Sequence, residues 1–208
     1  MTDDAIAAAN RKARDERKAA HLRATLERYK QQFGAAGEQG ARSVAREAHA
    51  AIELVLDRDL KRSGAGEAIR CARGCSHCCR VPVEIWPHEA ALLVGAARAA
   101  GMKLDAARLE RQSQYAIDDW QRQPAADRAC VFLDDDGACR VYESRPNACR
   151  KLLVLSDPVY CDAGKDTAES VERWFSWEAE IMEAAALETF GAGLMPRLLL
   201  NELRRSGG

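Results

Sequence analysis

Apolar residues recur at helical spacing through the first sixty-two residues, which contain no proline. The first apolar stripe is formed by Leu22, Leu26, Tyr29 and Phe33. Intervals of three and four residues place these side chains on one face of a helix. Glycines between 34 and 40 predict a break, and a second stripe starts at Val44. We therefore predict a helical hairpin over 1–62 that packs on the rest of the chain, with a partner-binding coiled coil as the alternative.

Shorter elements are predicted beyond the linker at 63–67. They are an extended edge segment at 81–86, a helix from Pro87 to about Ala100, a helix from Asp105 to about Gln123, hairpin strands at 130–133 and 138–142, a short strand at 151–155, a helix from Thr167 onward, and a short Leu-rich helix at the end. Proline suits the first turn of a helix, and aspartate suits an N-cap. The predicted fold is mainly α with a small β-hairpin, in which helices pack around a cysteine-rich metal-binding core.

The charged residues balance, with 31 Lys and Arg against 32 Asp and Glu in 208 residues. This net charge of -1 excludes a global basic field, and we predict no nucleic-acid partner. The N-terminus has no apolar signal region, and no stretch is long and apolar enough to span a membrane. We therefore predict a cytoplasmic protein that does not bind membranes. The predicted domains are an N-terminal helical arm (1–62), a cysteine-cluster domain (68–165) and C-terminal helices (166–208).

Eight cysteines depart from an ordinary composition, and all of them fall within residues 71–161. In a reducing cytosol such a cluster favours metal ligation over a disulfide framework. The pair Cys75 and Cys78 has the Cys-x2-Cys spacing that lets two sulfurs reach one ion, and Gly74 supplies a tight turn. The predicted metal ligands are Cys71, Cys75, Cys78, Cys79, Cys130, Cys139, Cys149 and Cys161.

The adjacent cysteines Cys78 and Cys79 constrain the geometry of the site. In an extended chain their side chains point to opposite faces. Either the backbone bends there, or two metal centres flank the pair, or one cysteine is not a ligand. Eight thiolates match two tetrahedral zinc sites, whereas four suffice for one iron–sulfur cluster, so the metal stays undecided. His77 and His88 are possible nitrogen ligands, although eight thiols make an all-sulfur set the simpler interpretation.

Arginines accompany the cysteines, and guanidinium groups offset the negative charge of metal thiolates. The spacing of Cys71, Cys75 and Cys78 is also similar to that of radical S-adenosylmethionine enzymes. That family requires a long series of β-α units after its motif. The residues that follow Cys79 instead predict helices around a small hairpin, so the spacing alone does not support that assignment.

The later cysteines stand in a block that reads Cys130-x-x-Leu, Cys139-x-x-Tyr and then Arg145-Pro146-x-x-Cys149-Arg150. Together with the quartet at 71–79, this block resembles the YkgJ-type cysteine-cluster family. Its signature is CxxCxxCC, and its members are described as zinc- or iron-chelating proteins. The resemblance covers 71–161 and implies a bound metal or iron–sulfur centre. The chain departs from the signature in the three residues that separate Cys71 from Cys75.

Three functions are compatible with these residues. The first is a cytoplasmic metal-binding protein that holds zinc or an iron–sulfur cluster through its eight cysteines. The second is an iron–sulfur-dependent redox or methyl-transfer enzyme, although the chain lacks a glycine-rich dinucleotide fingerprint. The third is a zinc-stabilised adaptor that binds a protein partner through the helices of 1–62. Whether the chain is an enzyme stays open, and the sequence identifies no catalytic residue and no residue for an organic cofactor.

Overall fold

The computed structural model describes residues 3–36, 40–162 and 170–207, with side chains from residue 12 onward. The structure is mostly helical, as predicted. Its α-helices in the described ranges are α1 (Asp3–Ala36), α2 (Ala41–Ser63), α3 (Pro87–Ala99), α4 (Ala106–Ser113), α5 (Ala125–Arg128), α6 (Asn147–Lys151), α7 (Trp177–Phe190) and α8 (Met195–Arg205). Five short 3₁₀ turns add to them, at Gly66–Ala68, His77–Arg80, Ile117–Arg122, Tyr142–Ser144 and Pro158–Cys161.

The predicted N-terminal helices are present, and each of them packs on the rest of the chain. Helix α1 contacts α7, and α2 contacts both α3 and α7. The apolar stripe of α1 ends in Phe33, which is buried with Val44 of α2, Trp86 and Ala185. Burial of apolar area drives this docking. Gly37, one of the glycines expected to break the helix, lies outside the described residues.

A second core lies between helices α3, α4 and α8 and the cysteine region. Its most buried members include Leu93, Leu109, Phe132 and Leu199. Phe132 comes from the segment between Cys130 and Cys139, so this ring anchors the cysteine region to the helical body. Truncating a buried aromatic ring costs about 3–5 kcal/mol of stability, which makes this contact a principal attachment.

Two antiparallel strand pairs complete the fold of the described residues. Strand β1 (Glu84–Ile85) pairs with β4 (Gly193–Leu194), and β2 (Leu153–Val154) pairs with β3 (Arg173–Trp174). The predicted extended segment at 81–86 and short strand at 151–155 contain β1 and β2. Both pairs join segments distant in sequence, and β2–β3 holds the chain on either side of the last cysteine.

The predicted hairpin at 130–142 is reduced to a turn with one bridge, between Leu133 and Cys139. The backbone N–H of Ala138 donates to Asp134 Oδ1 at 2.6 Å, and the Asp134 N–H donates to the Ala138 carbonyl at 3.0 Å. After Cys139 the chain curls into the 3₁₀ turn Tyr142–Ser144. A curled backbone has no row of free N–H and C=O groups on one edge, so the ladder stops.

The predicted helix boundaries are confirmed at some ends and wrong at others. Asp105 is the N-cap of α4, accepting from the Arg108 N–H at 2.9 Å, but α4 ends at Ser113 rather than near Gln123. Thr167 lies outside the described residues. Helix α7 starts at Trp177, where the Ser176 hydroxyl accepts from the Ala179 N–H. Side-chain acceptors at these N-caps satisfy helix donors that have no intrahelical partner.

No helix in the three described ranges is long and apolar enough to cross a membrane. The division into an N-terminal arm (1–62), a cysteine-cluster domain (68–165) and C-terminal helices (166–208) stays a prediction. The packing of α2 on α3 and α7 joins all three segments through shared apolar cores.

Candidate metal centre

A single cavity of about 150 Å³ gathers most of the cysteines. Seven of the eight line its wall: Cys71, Cys75, Cys78, Cys79, Cys130, Cys139 and Cys149. The eighth, Cys161, lies in the 3₁₀ turn Pro158–Cys161, which contacts the turn His77–Arg80. All eight are free thiols in the structure. Segments as distant as 71 and 149 therefore bring their sulfurs to one place.

The quartet at 71–79 is folded by two tight turns. The Cys75 N–H donates to the Ala72 carbonyl at 3.0 Å, and Gly74 has a φ of 92°, which a residue with a Cβ rarely adopts. The 3₁₀ turn His77–Arg80 then contains both Cys78 and Cys79. The backbone is therefore bent at the adjacent pair, one of the three alternatives that the sequence left open.

Backbone hydrogen bonds tie the later cysteines to this quartet. The Cys130 N–H donates to the Cys79 carbonyl at 2.8 Å. Cys139 forms the bridge to Leu133, and Cys149 lies on the one-turn helix α6. Because Pro146 cannot donate a hydrogen bond, it suits the start of α6, where the carbonyl of this proline accepts from Cys149.

The charges of some cysteines raise the pKa values of others, and these effects arrange the thiols in two groups that share Cys78. Charges on Cys71, Cys75 and Cys78 raise the pKa of Cys161, after the larger effect of burial. Charges on Cys78 and Cys139 likewise contribute to the raised pKa of Cys130. Cys149 is coupled to Cys130, Cys78 and Cys139. The first group is Cys71, Cys75, Cys78 and Cys161, and the second is Cys78, Cys130, Cys139 and Cys149.

The pKa values of several of these thiols are raised, which favours the protonated form in the absence of a compensating positive charge. Burial is the principal cause that raises the pKa of Cys130 to about 12 and that of Cys161 to about 11. The pKa of Cys78 is raised mainly by its hydrogen bond with Cys79, and that of Cys149 by burial. A cation in the cavity would reverse these shifts, since an opposite charge favours the thiolate.

The sulfur of Cys71 both accepts and donates a hydrogen bond. The Val154 N–H donates to Cys71 Sγ at 3.3 Å, and this bond lowers the thiol pKa against the larger effect of burial. The thiol in turn donates to the Leu152 carbonyl at 3.4 Å. Both partners belong to the segment that leads into strand β2, so this strand positions the first cysteine.

Two arginines stack on one aromatic ring at the cavity. The guanidinium of Arg145 lies 4.0 Å from the ring centroid of Tyr142, and that of Arg73 lies 5.1 Å from it. Burial raises the pKa of Cys139, and the charges of both arginines oppose that change. Tyr142 itself is partly exposed and lines the cavity. The predicted enrichment of arginine near sulfur therefore acts on an identified thiol.

Contacts with helix α2 and with nearby backbone carbonyls hold the side chain of Arg150 in position. Its side chain is buried and pairs with Glu53 of α2, while it also donates to the carbonyls of Arg145 and Glu143. Burial lowers the pKa of Arg150, and the charge of Glu53 opposes that change. This pair links α2 to the loop that carries Cys149.

A buried pair that sequence reasoning missed supports the same loop. His49 Nε2 lies 2.9 Å from Glu89 Oε1, and both side chains are buried. The same carboxylate oxygen accepts from the Asn147 N–H at 2.7 Å, two residues before Cys149. Glu89 is in the first turn of α3, where a carboxylate is unremarkable in the sequence. The sequence signal that could have identified Glu89 is its carboxylate in the mostly apolar helix α3.

The two candidate histidines have different positions. His77 lies in the 3₁₀ turn with Cys78 and Cys79, whereas His88 packs on the Phe190 ring with 4.1 Å between ring centroids. His88 is not among the residues that line the cavity, and burial lowers its pKa. The contacts of His88 are therefore those of a packing residue.

The donor set fits a thiophilic metal in type and in number, because seven sulfurs surround one cavity and the eighth is coupled to three of them. As they stand, no three His, Cys, Asp or Glu side chains among the described residues are arranged to hold an ion. Binding therefore requires the sulfurs to turn inward from the cavity wall.

Comparison with known proteins identifies one family. Residues 70–170 match the family model CxxCxxCC, described as a "putative zinc- or iron-chelating domain". No curated protein and no solved structure matched the chain. The matched range contains all eight cysteines, and its description agrees with the zinc or iron–sulfur cofactor that the sequence left undecided. The segment 70–170 therefore resembles the CxxCxxCC family, whose description supports metal binding.

Proposed function

We propose that the chain is a cytoplasmic metal-binding protein that holds zinc or an iron–sulfur cluster through its eight cysteines. One observation carries the proposal: seven of these cysteines, drawn from four segments of the chain, line one cavity. Buried free thiols without a common purpose would be scattered through the apolar cores, as small hydrophobic residues are. Their convergence favours metal ligation.

The coupling of the thiols supports two centres that flank the adjacent pair Cys78 and Cys79. The first would use Cys71, Cys75 and Cys161 with one member of the pair, and the second Cys130, Cys139 and Cys149 with the other. Each centre then has four thiolates, which is the number that a structural zinc site requires. One iron–sulfur cluster in either group would also use four.

A bound metal would supply the positive charge that these buried thiols lack. The thiols must lose protons on binding, so metal affinity depends on pH and binding free energy becomes folding free energy. Arg145 and Arg73 offset the negative charge that four thiolates leave around one ion. The N–H of Val154 fixes the orientation of Cys71.

Metal and sulfide analysis of anaerobically isolated protein tests the proposal. Zinc at about two ions per chain without acid-labile sulfide would support two structural sites. Iron with sulfide and absorbance near ~400 nm would support a cluster. A chain that retains neither metal nor sulfide after isolation without chelators would refute the proposal.

Single substitutions test the division into two centres. Cys161→Ser should remove the metal of the first group alone, and Cys139→Ser that of the second group alone. Ser76→Ala is the matched control, because it alters the same loop without removing a sulfur or an imidazole, and it should retain the full metal content. Loss of all metal in either cysteine variant would instead indicate a single centre.

The cytoplasmic part of the proposal rests on the eight free thiols, which persist in reducing compartments. Fractionation of cells that express the untagged chain tests it. Recovery of the protein from the periplasmic or extracellular fraction, with thiols that no longer react with an alkylating reagent, would contradict it.

A metal-stabilised adaptor is a second candidate, favoured by a surface beside α1. Phe175 and Trp177 are 53% and 62% exposed and stack on each other. Lys18 of α1 lies 5.2 Å from the Trp177 ring centroid, and the two rings border a groove between α1 and α2. Exposed aromatic residues beside cations are frequent anchors in protein interfaces. Pull-down with Trp177→Ala, with Leu54→Ala as an equally exposed apolar control, tests this candidate.

A further inference from the structure

Two stacked aromatic residues lie on the surface at the edge of a groove, far from the cysteine cavity in their lining residues. The large apolar side chains exposed in the described ranges are Leu54, Ile117, Phe175 and Trp177, and only Phe175 and Trp177 line this groove. Their ring centroids are 6.4 Å apart and their planes differ by 18°. Apolar side chains that are exposed side by side indicate an interaction surface, whereas single ones are ordinary.

The groove has apolar walls with room for side chains of a partner. It lies between helix α1, the C-terminal end of helix α2 and the start of helix α7, and its volume is about 610 Å³. Leu22, Trp174 and Ile181 supply apolar wall. The Trp174 indole N–H already donates to Ser63 Oγ at 3.2 Å, so this ring offers mainly apolar surface to a ligand.

Both carboxylates that line the groove are already paired. Asp59 accepts from the Ser176 hydroxyl at 2.6 Å and from Arg58 Nε at 2.8 Å. Glu178 accepts from Arg58 Nη2 at 2.8 Å and lies 3.5 Å from Arg28 Nη2. Two arginines of the same chain therefore balance the negative charge of the groove.

Two further cations of the groove have no carboxylate. Lys18 of α1 and Arg62 of α2 line it and are exposed, and neither takes part in an ion pair within the described ranges. Lys18 Nζ lies 5.2 Å from the Trp177 ring centroid instead. Exposed aromatic rings and an excess of positive charge therefore occur on one surface.

We infer that this groove binds an acidic peptide segment of a partner protein. An apolar side chain of the segment would pack on Phe175 and Trp177, and its carboxylates would lie beside Lys18 and Arg62. Complementary charge orients a partner and excludes wrong ones, while aromatic residues supply most of the binding energy of an interface. The inference rests on the adaptor candidate and names the chemistry of its partner.

Other classes of partner fit the groove less well. The Trp177 ring already stacks on Phe175 and contacts Lys18, which leaves less of it for stacking on a nucleic acid base. A lipid surface cannot enter a groove whose apolar wall includes Leu22 and Ile181. A peptide side chain reaches this wall.

Selection of phage-displayed random dodecapeptides on the full-length protein tests the inference. We expect the enriched peptides to combine several Asp or Glu residues with a large apolar residue. Fluorescence anisotropy of the synthetic, labelled peptide then measures affinity, and the same peptide with Asn and Gln in place of Asp and Glu is the neutral probe. Trp177→Ala should weaken the affinity by about 10-fold or more, as expected for an aromatic anchor.

Charge reversal tests the electrostatic half of the inference. Lys18→Glu combined with Arg62→Glu should weaken the affinity for the acidic peptide by about 10-fold or more and lessen its dependence on salt. Arg46→Glu is the matched control, since it reverses an exposed charge of α2 outside the groove, and Leu54→Ala is the control for Trp177→Ala. Both controls should bind as the wild type does.

Several results would overturn the inference. They are enrichment of neutral or basic sequences, equal affinity for the acidic and neutral peptides, and unchanged affinity in Trp177→Ala. Binding that depends on Trp177 to phosphatidylserine vesicles or to single-stranded DNA, without binding of an acidic peptide, would overturn it as well and assign the surface to a lipid or a nucleic acid.

Metal analysis and pull-down with the same preparations separate this inference from the proposed functions. A wild-type chain that binds metal and no acidic peptide would overturn the peptide site alone. A chain that binds the peptide and no metal would refute the metal proposal alone. Pull-down of a protein that depends on Trp177 but is not displaced by the acidic peptide would retain the adaptor candidate and overturn the acidic chemistry.

Discussion

Replacement of Glu89 by alanine should destabilise the protein strongly and disturb the loop that carries Cys149. The carboxylate accepts from the Asn147 N–H at 2.7 Å and lies 2.9 Å from His49 Nε2. Glu89, His49 and Asn147 are all buried. The substitution removes both contacts and leaves a backbone donor and an imidazole nitrogen in the protein interior without a partner.

The expected loss of unfolding free energy is about 3–5 kcal/mol, because two buried polar groups each lose a hydrogen-bond partner at about 1–3 kcal/mol per group. For a chain of this size it corresponds to a fall in Tm of about 6–20 °C. Glu89→Gln should lose only about 1–2 kcal/mol, because the amide oxygen can take the place of Oε1 in both contacts and only the charge of the acceptor is lost. Because glutamine is nearly the same size as glutamate, comparing the stabilities of the two variants separates the effect of the polar contacts from that of side-chain volume.

Urea denaturation of the metal-free, reduced protein measures these differences. A His49→Ala, Glu89→Ala double-mutant cycle isolates the interaction between the two side chains. In metal-loaded protein, Glu89→Ala should lower the metal content of the Cys149 group while the Cys161 group keeps its own. A loss below about 1 kcal/mol, or equal loss of metal from both groups, would refute the reasoning.

Further predictions concern other contacts around the cavity. Glu53→Ala should lower the free energy of unfolding by about 1–2 kcal/mol, because it leaves the buried guanidinium of Arg150 without its carboxylate. The exposed control Asp57→Ala should lower it by less than about 0.5 kcal/mol in the same denaturation assay. Gly137→Ala should cost about 1–2 kcal/mol, since the glycine has a φ of +80° and an added Cβ would meet a serine hydroxyl at 3.2 Å. The control Gly34→Ala places a methyl group in open space on helix α1 and should raise the free energy of unfolding by about 0.5–1 kcal/mol. Equal effects of the two glycine substitutions would contradict this account. Burial lowers the pKa of His88, so the folded state binds this proton less readily than the unfolded chain. The unfolding free energy of metal-free protein should therefore fall as the pH drops below about 6.5, and His88→Phe should lessen that slope.

Local signals in the sequence predicted many elements correctly. Pro87 begins α3, Gly101 follows its end with a φ of 64°, and Asp105 is the N-cap of α4. These signals act within a few residues, so the surrounding fold does not alter them. The helical pair of 1–62 likewise follows from its apolar stripes, which must be buried against something.

Predictions that depended on distant partners were less accurate. The hairpin at 130–142 retains one bridge because the chain after Cys139 curls into a turn. Trp177, an apolar residue at the start of α7, is mostly exposed and borders the groove beside α1. Alternation and helical spacing indicate which residues share a face, but not which face another element covers.

The sequence by itself determined the class of chemistry, since eight clustered cysteines and the Arg-Pro block indicated zinc or iron binding, and residues 70–170 match a family model of that description. The tertiary structure decided that seven of the sulfurs line one cavity, which arginines pair with carboxylates, and that Arg128 is buried without one. The physical reason is that ligand type is a property of a residue, whereas burial and pairing depend on segments far away in the sequence. Glu53 and Arg150, or Glu89 and Asn147, meet only when the helices have packed.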